Sequence, residues 1–272
     1  MIAGVVTLYN PTEAMIQNIA SYTKALDVMY IADNTEKKDA HILELIRAES
    51  KFVYMDNGGN RGISYSLNRA VECCERENID WLLMMDQDSV LPCETIDKMR
   101  AYALHEATAD VAIVASNYKK NVGFTGTKEL SEVITSGSML NVPICKKVGG
   151  FLEELFIDEV DNEYCLRLMK EGYKIIRLNY ATFEHHLGEQ KIVHGVTTYN
   201  YSPLRYYYII RNNLYVAKKY KDIFPDKYQL RKKSIKTWVK SVFYEPDTWI
   251  KLKYMYRGYR DFKRGKMGKF CE

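Results

Sequence analysis

The tripeptide Asp86-Gln87-Asp88 directly follows an apolar run, Trp-Leu-Leu-Met-Met at 81–85. Read as a strand, that run delivers two carboxylates at i and i+2, pointed the same way at the strand's mouth. Two like charges so close are costly unless a cation neutralises them. Hard divalent ions such as Mg2+ or Mn2+ take oxygen ligands and keep positions open for a substrate's phosphates. A surface turn with two solvated aspartates is the competing account. A second acidic group, Asp158, Glu159 and Asp161, follows the Gly149-Gly150 turn. Its spacing fits a helix start, with Asp158 as N-cap, Asp161 three residues on, and a helix over 159–171 closed by Gly172. Asp33-Asn34-Thr35 suits an Asx turn or a helix cap. Asn57-Gly58-Gly59-Asn60-Arg61-Gly62 is a loop that opens a helix, whose first turn offers unpaired N–H groups and a dipole favourable to anions.

These groups need a scaffold, and the sequence supplies one. Strand-like runs at 2–9, 28–32, 52–55 and 81–85 alternate with helical patterns, one carrying Met15, Ile19, Tyr22 and Leu26, one at 41–48 and one opened by the 57–62 loop. Leu67, Ala70, Val71 and Cys74 share one face of the third helix. Such alternation predicts an α/β fold with a mostly parallel sheet covered on both faces. In such sheets ligands bind beyond the carboxyl ends of the strands. Asn10, Asp33, 57–62 and Asp86–Asp88 all fall there.

The 272 residues are 47% hydrophobic and 27% charged, which excludes disorder, collagen-like and low-complexity chains. No run approaches the roughly 20 apolar residues that cross a bilayer, and no basic region precedes the first apolar run as in a signal peptide. The cysteines at 73, 74, 93, 145, 165 and 271 show no metal-finger spacing, which suits a reduced, cytoplasmic protein. The net charge of +4 hides an asymmetry: residues 203–272 carry 19 Lys+Arg against 6 Asp+Glu, and 16 of the 34 aromatics. We therefore expect an acidic body over 1–202 and a helical, basic, aromatic extension over 203–272.

Seven segments carry a resemblance: Val5-Val6-Thr7-Leu8-Tyr9-Asn10; Asp33-Asn34; Asn60-Arg61-Gly62-Ile63 with Asn68; Asp86-Gln87-Asp88-Ser89; Gly149-Gly150-Phe151; Phe156-Ile157-Asp158-Glu159-Val160-Asp161; and Cys165-Leu166-Arg167. In this order, over most of residues 2–190, the chain resembles family 2 glycosyltransferases, which have the Rossmann-like GT-A fold. Asp-Gln-Asp-Ser and Phe-Ile-Asp-x-Val-Asp resemble the bacterial rhamnosyltransferase branch, which uses dTDP-rhamnose.

The resemblance implies roles. Thr7, Tyr9 and Asp33 would line a nucleobase pocket, with Asp33 accepting from a pyrimidine N3–H. Asn60 and Arg61 would approach the donor nucleotide, although Arg61 also suits a solvent-facing position. Asp86 would sit near ribose and metal, and Asp88 would ligate Mg2+ or Mn2+, neutralising the departing diphosphate. Asp161 would deprotonate the acceptor hydroxyl, with Asp158 as second candidate; many family members have Glu-Asp where this chain has Val160-Asp161. His185, in His185-His186-Leu187-Gly188, would be a third metal ligand, against the reading of an ordinary polar strand end. Thr135-Ser136-Gly137-Ser138 would floor the donor sugar or acceptor, with no single role assigned. Arg211, in Tyr208-Ile209-Ile210-Arg211-Asn212, would either reach the donor diphosphate or stand solvated on a surface helix.

The expected activity is therefore inverting, metal-dependent transfer of a hexosyl group from a dTDP- or UDP-linked donor to a saccharide or lipid-linked glycan, in bacterial cell-surface polysaccharide synthesis. Rhamnose leads, with UDP-galactose, UDP-N-acetylglucosamine or UDP-galactofuranose as alternative donors. The basic tail, predicted helical at 228–240 and 248–269, packs its aromatics on the body, meets an anionic membrane at the cytoplasmic leaflet, or does both. No nucleic-acid module is visible. A non-catalytic membrane- or nucleic-acid-binding protein is the reading of a different class.

Overall fold

A computed structural model describes residues 1–118, 125–183 and 191–271. These form two compact units, one drawn from Met1–Glu153 and Tyr164–His185, the other from Glu154–Glu163 and His186–Glu272. The sequence boundary near residue 200 thus does not coincide with the division between units, because the short acidic segment 154–163 folds with the C-terminal extension.

The first unit opens with β1 (Ile2–Leu8), α1 (Glu13–Thr23), β2 (Val28–Asp33), α2 (Ala40–Ala48), β3 (Phe52–Asp56), α3 (Ile63–Glu77) and β4 (Trp81–Asp86). It continues with α4 (Cys93–His105), β5 (Val111–Asn117), β6 (Thr127–Glu129), β7 (Ser138–Asn141), α5 (Val142–Val148), α6 (Val160–Lys170), whose first four residues belong to the second unit, and β8 (Lys174–Thr182). The sheet order is β3-β2-β1-β4-β7-β5-β8-β6. The first four strands are parallel, while β7 and β6 run antiparallel to their neighbours.

The near-continuous apolar runs explain the burial of β1, β2 and β4, since a parallel strand between helical layers needs both faces apolar. Ile16, Ile19 and Tyr22 of α1 and Ile42 and Ile46 of α2 close one side of the core. The face predicted for α3 (Leu67, Ala70, Val71, Cys74) is buried as expected. Asp39 caps α2 by accepting from the His41 amide at 2.9 Å.

The second unit adds β9 (Lys191–Val193) and β10 (Val196–Thr198), paired as a hairpin, then α7 (Pro203–Tyr220), α8 (Pro225–Val242) and α9 (Thr248–Lys263). α8 and α9 pack against α7 through Tyr206, Ile209, Ile210, Val242 and Met255. The bend between α8 and α9 is fixed by Glu245, buried against Lys251 Nζ at 2.9 Å and the Tyr206 hydroxyl at 2.8 Å. All six cysteines are free thiols.

Candidate functional site

Strand register decides which polar residues meet. Thr7 on β1 lies opposite Asp86 on β4, and Leu8 opposite Asp33 on β2. Asp33 in turn lies opposite Asp56 on β3. The carboxyl ends of all four strands therefore share one edge, where the strand order reverses about β1 and β4 and leaves a crevice. Gln87 links the two strands at that point. Its Oε1 accepts from the Tyr9 amide at 2.9 Å, while its Nε2 donates to the Tyr9 carbonyl at 3.2 Å.

β4 ends at Asp86, so Asp88 sits in the following turn rather than two residues along a strand. The same-face rule for i and i+2 consequently does not apply to this pair. Asp88 is exposed and Asp86 half-buried. The Asp86 amide donates to Ser136 Oγ at 3.2 Å, and Ser136 Oγ donates to Ser89 Oγ at 2.9 Å. Burial, and then the negative charge of Asp86, pushes the Tyr22 phenol well above its ordinary range. Two exposed or half-exposed carboxylates suit a hard divalent ion. Among the described residues no group of three His, Cys, Asp or Glu side chains is placed to hold a metal. His185 lies outside the described residues, so its expected ligand role is neither met nor refused.

Asp33 is buried, and both its oxygens are engaged. Oδ1 accepts from the Thr35 amide at 2.8 Å, forming the Asx turn, and Oδ2 accepts from the Tyr54 hydroxyl at 2.8 Å. Each oxygen retains a further lone pair. Burial, followed by this bond to Asp33, raises the Tyr54 phenol. Lys38 stands 4.0 Å from Asp33 Oδ2 and 2.8 Å from Asp56 Oδ1, holding the Asp56 carboxyl below its usual range together with the Gly58 amide. A cleft of about 200 Å³ is bordered by Asn10, Asp33, Thr35, Lys38 and Ile42.

The loop at 57–62 is shaped by an amide network. Asn57 Nδ2 donates to Asn34 Oδ1 at 2.9 Å and to Ser66 Oγ at 3.0 Å, and Asn34 Nδ2 donates back to the Gly62 carbonyl at 3.1 Å. Asn60 Oδ1 accepts from the Gly62 amide at 3.1 Å, so its side chain shapes the loop. Gly62, at φ 87°, is the N-cap of α3 and gives its first turn no side-chain cap. Arg61 is exposed and lies 3.9 Å over the Tyr65 ring. Tyr9, too, is exposed. Behind the loop, Asn68 Oδ1 accepts from the Phe151 amide at 2.8 Å, and Arg167 Nη2 donates to the Gly150 carbonyl at 2.8 Å. Gly149-Gly150-Phe151 and Arg167 are thus a brace.

In the second unit the segment 154–163 departs from the expected capping box. α6 begins at Val160, not 159, and Asp158 and Glu159 both hold left-handed backbone at φ 61° and 62°, as does Phe156 at 66°. Asp158 therefore does not cap the helix. Its Oδ1 accepts from Arg205 Nη2 at 3.3 Å, and its Oδ2 is buried with no hydrogen-bond partner among the described residues. Burial raises the Asp158 carboxyl, an effect Arg205 only partly offsets. Asp161, in the first turn of α6, accepts from the Asn162 amide at 2.8 Å and stays half-exposed.

The left-handed segment is held by consecutive residues of α7. Asn212 Nδ2 donates to the carbonyls of Leu155, Ile157 and Asp158 at 2.8, 2.6 and 3.0 Å. Asn213 Nδ2 reaches Glu159 Oε1 at 3.1 Å, and Arg231 Nη2 reaches Glu159 Oε2 at 3.1 Å. Arg211 meets neither expectation for it. It is fully buried, donating to the carbonyls of Gly268, Glu154 and Leu155 at 2.6, 3.3 and 3.2 Å and to Asn212 Oδ1 at 2.9 Å. A diphosphate would have to displace these carbonyls, and solvent does not reach the guanidinium. Gln87, Ser136 and Asn212 are the participants that sequence reasoning missed; only the presence of Ser136 in a Thr-Ser-Gly-Ser run hinted at one.

A search of curated proteins finds 28% identity over 182 residues to the dTDP-rhamnosyl transferase RfbF of Shigella flexneri, covering 60% of this chain and 62% of that protein. The chain thus spans less than two thirds of that relative's length. Among solved structures, GalNAc-T7 with UDP, GalNAc and Mn2+ superposes with a TM-score of 0.62 at 9% identity, over 84% of this chain and 49% of the other. That likeness is one of fold, GT-A, in agreement with the expectation from the sequence motifs. The profile of glycosyl transferase family 2 matches residues 5–152, more than half of the chain and the whole four-strand edge described above, and the protein belongs to that family.

Proposed function

We propose that the protein transfers a hexosyl group from a nucleotide-sugar donor to a saccharide acceptor with inversion, rhamnose from dTDP-rhamnose being the leading donor. The observation that supports this is the register that sets Thr7 opposite Asp86 and Leu8 opposite Asp33 at one sheet edge, with Tyr9 tied there by Gln87. Asp33 retains lone pairs for a pyrimidine N3–H, and the uncapped start of α3 offers N–H groups to an anion. Asp86 and Asp88 would hold Mg2+ or Mn2+, oxygen donors being the right class, with diphosphate oxygens and His185 as candidates for remaining positions. When bound, that ion supplies charge neutralisation to the leaving diphosphate.

Asp161 is our choice of base: it would accept the acceptor hydroxyl proton while that oxygen bonds to the anomeric carbon from the face opposite the leaving group. Asp158 is the second candidate. One of its oxygens is engaged by Arg205 and the other is buried, so it is less accessible to an acceptor hydroxyl than half-exposed Asp161. An acceptor glycan carried on a polyprenyl diphosphate would meet the enzyme at a bilayer surface.

A thermal-shift panel of dTDP-rhamnose, UDP-galactose, UDP-N-acetylglucosamine and UDP-galactofuranose, with and without Mn2+, tests the reading. One donor should stabilise the protein in a metal-dependent way, and Asp88→Asn should abolish both that shift and turnover. No shift with any donor would refute it. Binding to lipid or nucleic acid that survives Asp88→Asn and Asp161→Asn, with no turnover in the parent, would favour the non-catalytic alternative.

A further inference from the structure

We infer that the junction of α8 and α9 is an interfacial anchor for an anionic lipid bilayer. The inward faces of these helices are accounted for: Ile235, Trp238 and Val242 of α8 and Leu252 and Met255 of α9 enter the cluster on α7. The outward faces are not. Trp249 is 81% exposed, Tyr256 65%, Phe243 60% and Ile250 52%. Large apolar side chains of this kind gathered at one end of a helical pair mark an interaction surface.

Their neighbours define the partner. Lys236, Lys240 and Phe243 recur at i, i+4 and i+7 along α8, and Trp249, Lys253, Tyr256 and Arg260 recur at helical spacing along α9, all exposed. The two stripes converge on the bend at 243–247. Of the acidic groups at the bend, Glu245 is buried against Lys251, which leaves Asp247 on the surface; Asp261, farther along α9, is buried against the Tyr207 hydroxyl, and the exposed Asp222 and Asp226 lie at the opposite end of α8. The exposed charge is therefore predominantly positive around an aromatic and aliphatic tip. Aromatic rings with lysines beside them fit the headgroup zone of an anionic bilayer, where the tip enters the acyl boundary and the lysines meet lipid phosphates. Aliphatic Ile250 and Val239 have no use against stacked bases, so a nucleic acid fits this surface less well. None of the described helices is long and apolar enough to cross a membrane, so this contact is peripheral. The anchor builds on the lipid-linked acceptor proposed above, but its test uses neither donor nor acceptor, so the two can fail separately.

The full chain is mixed with phosphatidylcholine vesicles with and without phosphatidylglycerol, and binding is followed by co-sedimentation and tryptophan emission. Trp81 is buried and Trp238 half-buried, so a blue shift reports Trp249. We expect binding and a blue shift only with the anionic vesicles, weakening as salt rises. Phe243→Ser with Trp249→Ser should lower the partition constant about tenfold or more, and each of Lys236→Gln, Lys240→Gln and Lys253→Gln about fivefold. These side chains are exposed, so the melting temperature should not move. Should a variant misfold, the salt dependence and blue shift of the parent protein decide alone. Absence of binding to anionic vesicles at low salt, or binding undiminished in the serine variant, overturns the inference. So does a single-stranded oligonucleotide that binds more tightly and displaces the vesicles.

Discussion

Replacing Asn212 with alanine removes the donor that serves the Leu155, Ile157 and Asp158 carbonyls. Leu155 keeps a bond from Arg211, so the other two carbonyls are stranded. A buried group left unpaired costs about 1–3 kcal/mol, which gives about 2–6 kcal/mol for the pair. The left-handed backbone of Phe156, Asp158 and Glu159 stores roughly 1 kcal/mol each that the lost clamp no longer holds, so the segment should relax rather than merely loosen. We expect a melting temperature lower by roughly 4–24 °C. A base displaced by an ångström can slow turnover by about 100-fold. On the donor site proposed above, which lies at the sheet edge of the first unit, donor affinity should be unchanged. Asn212→Asp sharpens the test, because it keeps the shape and aims an acceptor at three other acceptors. The assay pairs a thermal melt with separate measurement of donor Kd and kcat. An Asn212→Asp protein with the parent's stability and kcat would refute the clamp argument, and a kcat loss matched by an equal loss of donor affinity would refute its locality.

Gly258 on α9 meets α7 so closely that an added Cβ would strike the Tyr207 carbonyl oxygen, part of a helix backbone that cannot yield. Gly258→Ala should therefore destabilise by about 1–3 kcal/mol or more, read by chemical denaturation. Burial tends to raise Glu245, but Lys251, the Tyr199 amide and the Tyr206 hydroxyl together bring its carboxyl below the ordinary range. Its contribution is thus present above the usual carboxylate pKa and lost as pH falls through the lowered folded value. Glu245→Gln leaves buried Lys251 unpaired, at a cost of about 3–5 kcal/mol, and should flatten the acid side of a stability–pH curve. Gln87→Glu keeps the acceptor for the Tyr9 amide but loses the donor to its carbonyl, so donor affinity should fall at unchanged fold, measured by calorimetry.

What the sequence disclosed was whatever lies in one contiguous stretch. Alternating apolar runs revealed the parallel strands, and the polar residues just past each run marked the edge proposed above as the donor site, because strand ends are local. Gln87 was hidden in plain view: its type is unremarkable, and its partner Tyr9 comes from a distant strand. Arg211 misled because a guanidinium reads as a surface group, whereas five carbonyl and side-chain oxygens satisfy it in the interior. The capping box failed for a backbone reason: Asp158 and Glu159 adopt positive φ, which side-chain spacing does not encode. The tail's aromatics divided into packed rings such as Trp238 and Tyr206, 6.2 Å apart, and outward ones such as Trp249.

Arg211, Asn212 and Asn213 are successive, so on a helix they point in directions about 100° apart and sweep more than half the circumference. Most of their partners nevertheless come from the one segment 154–159, which must therefore curve round α7, a helix buried around most of its girth. Such a spindle has a fixed phase. A single residue inserted or deleted upstream in α7 would rotate all three amide and guanidinium contacts at once, so length changes there should be far less forgivable than point changes.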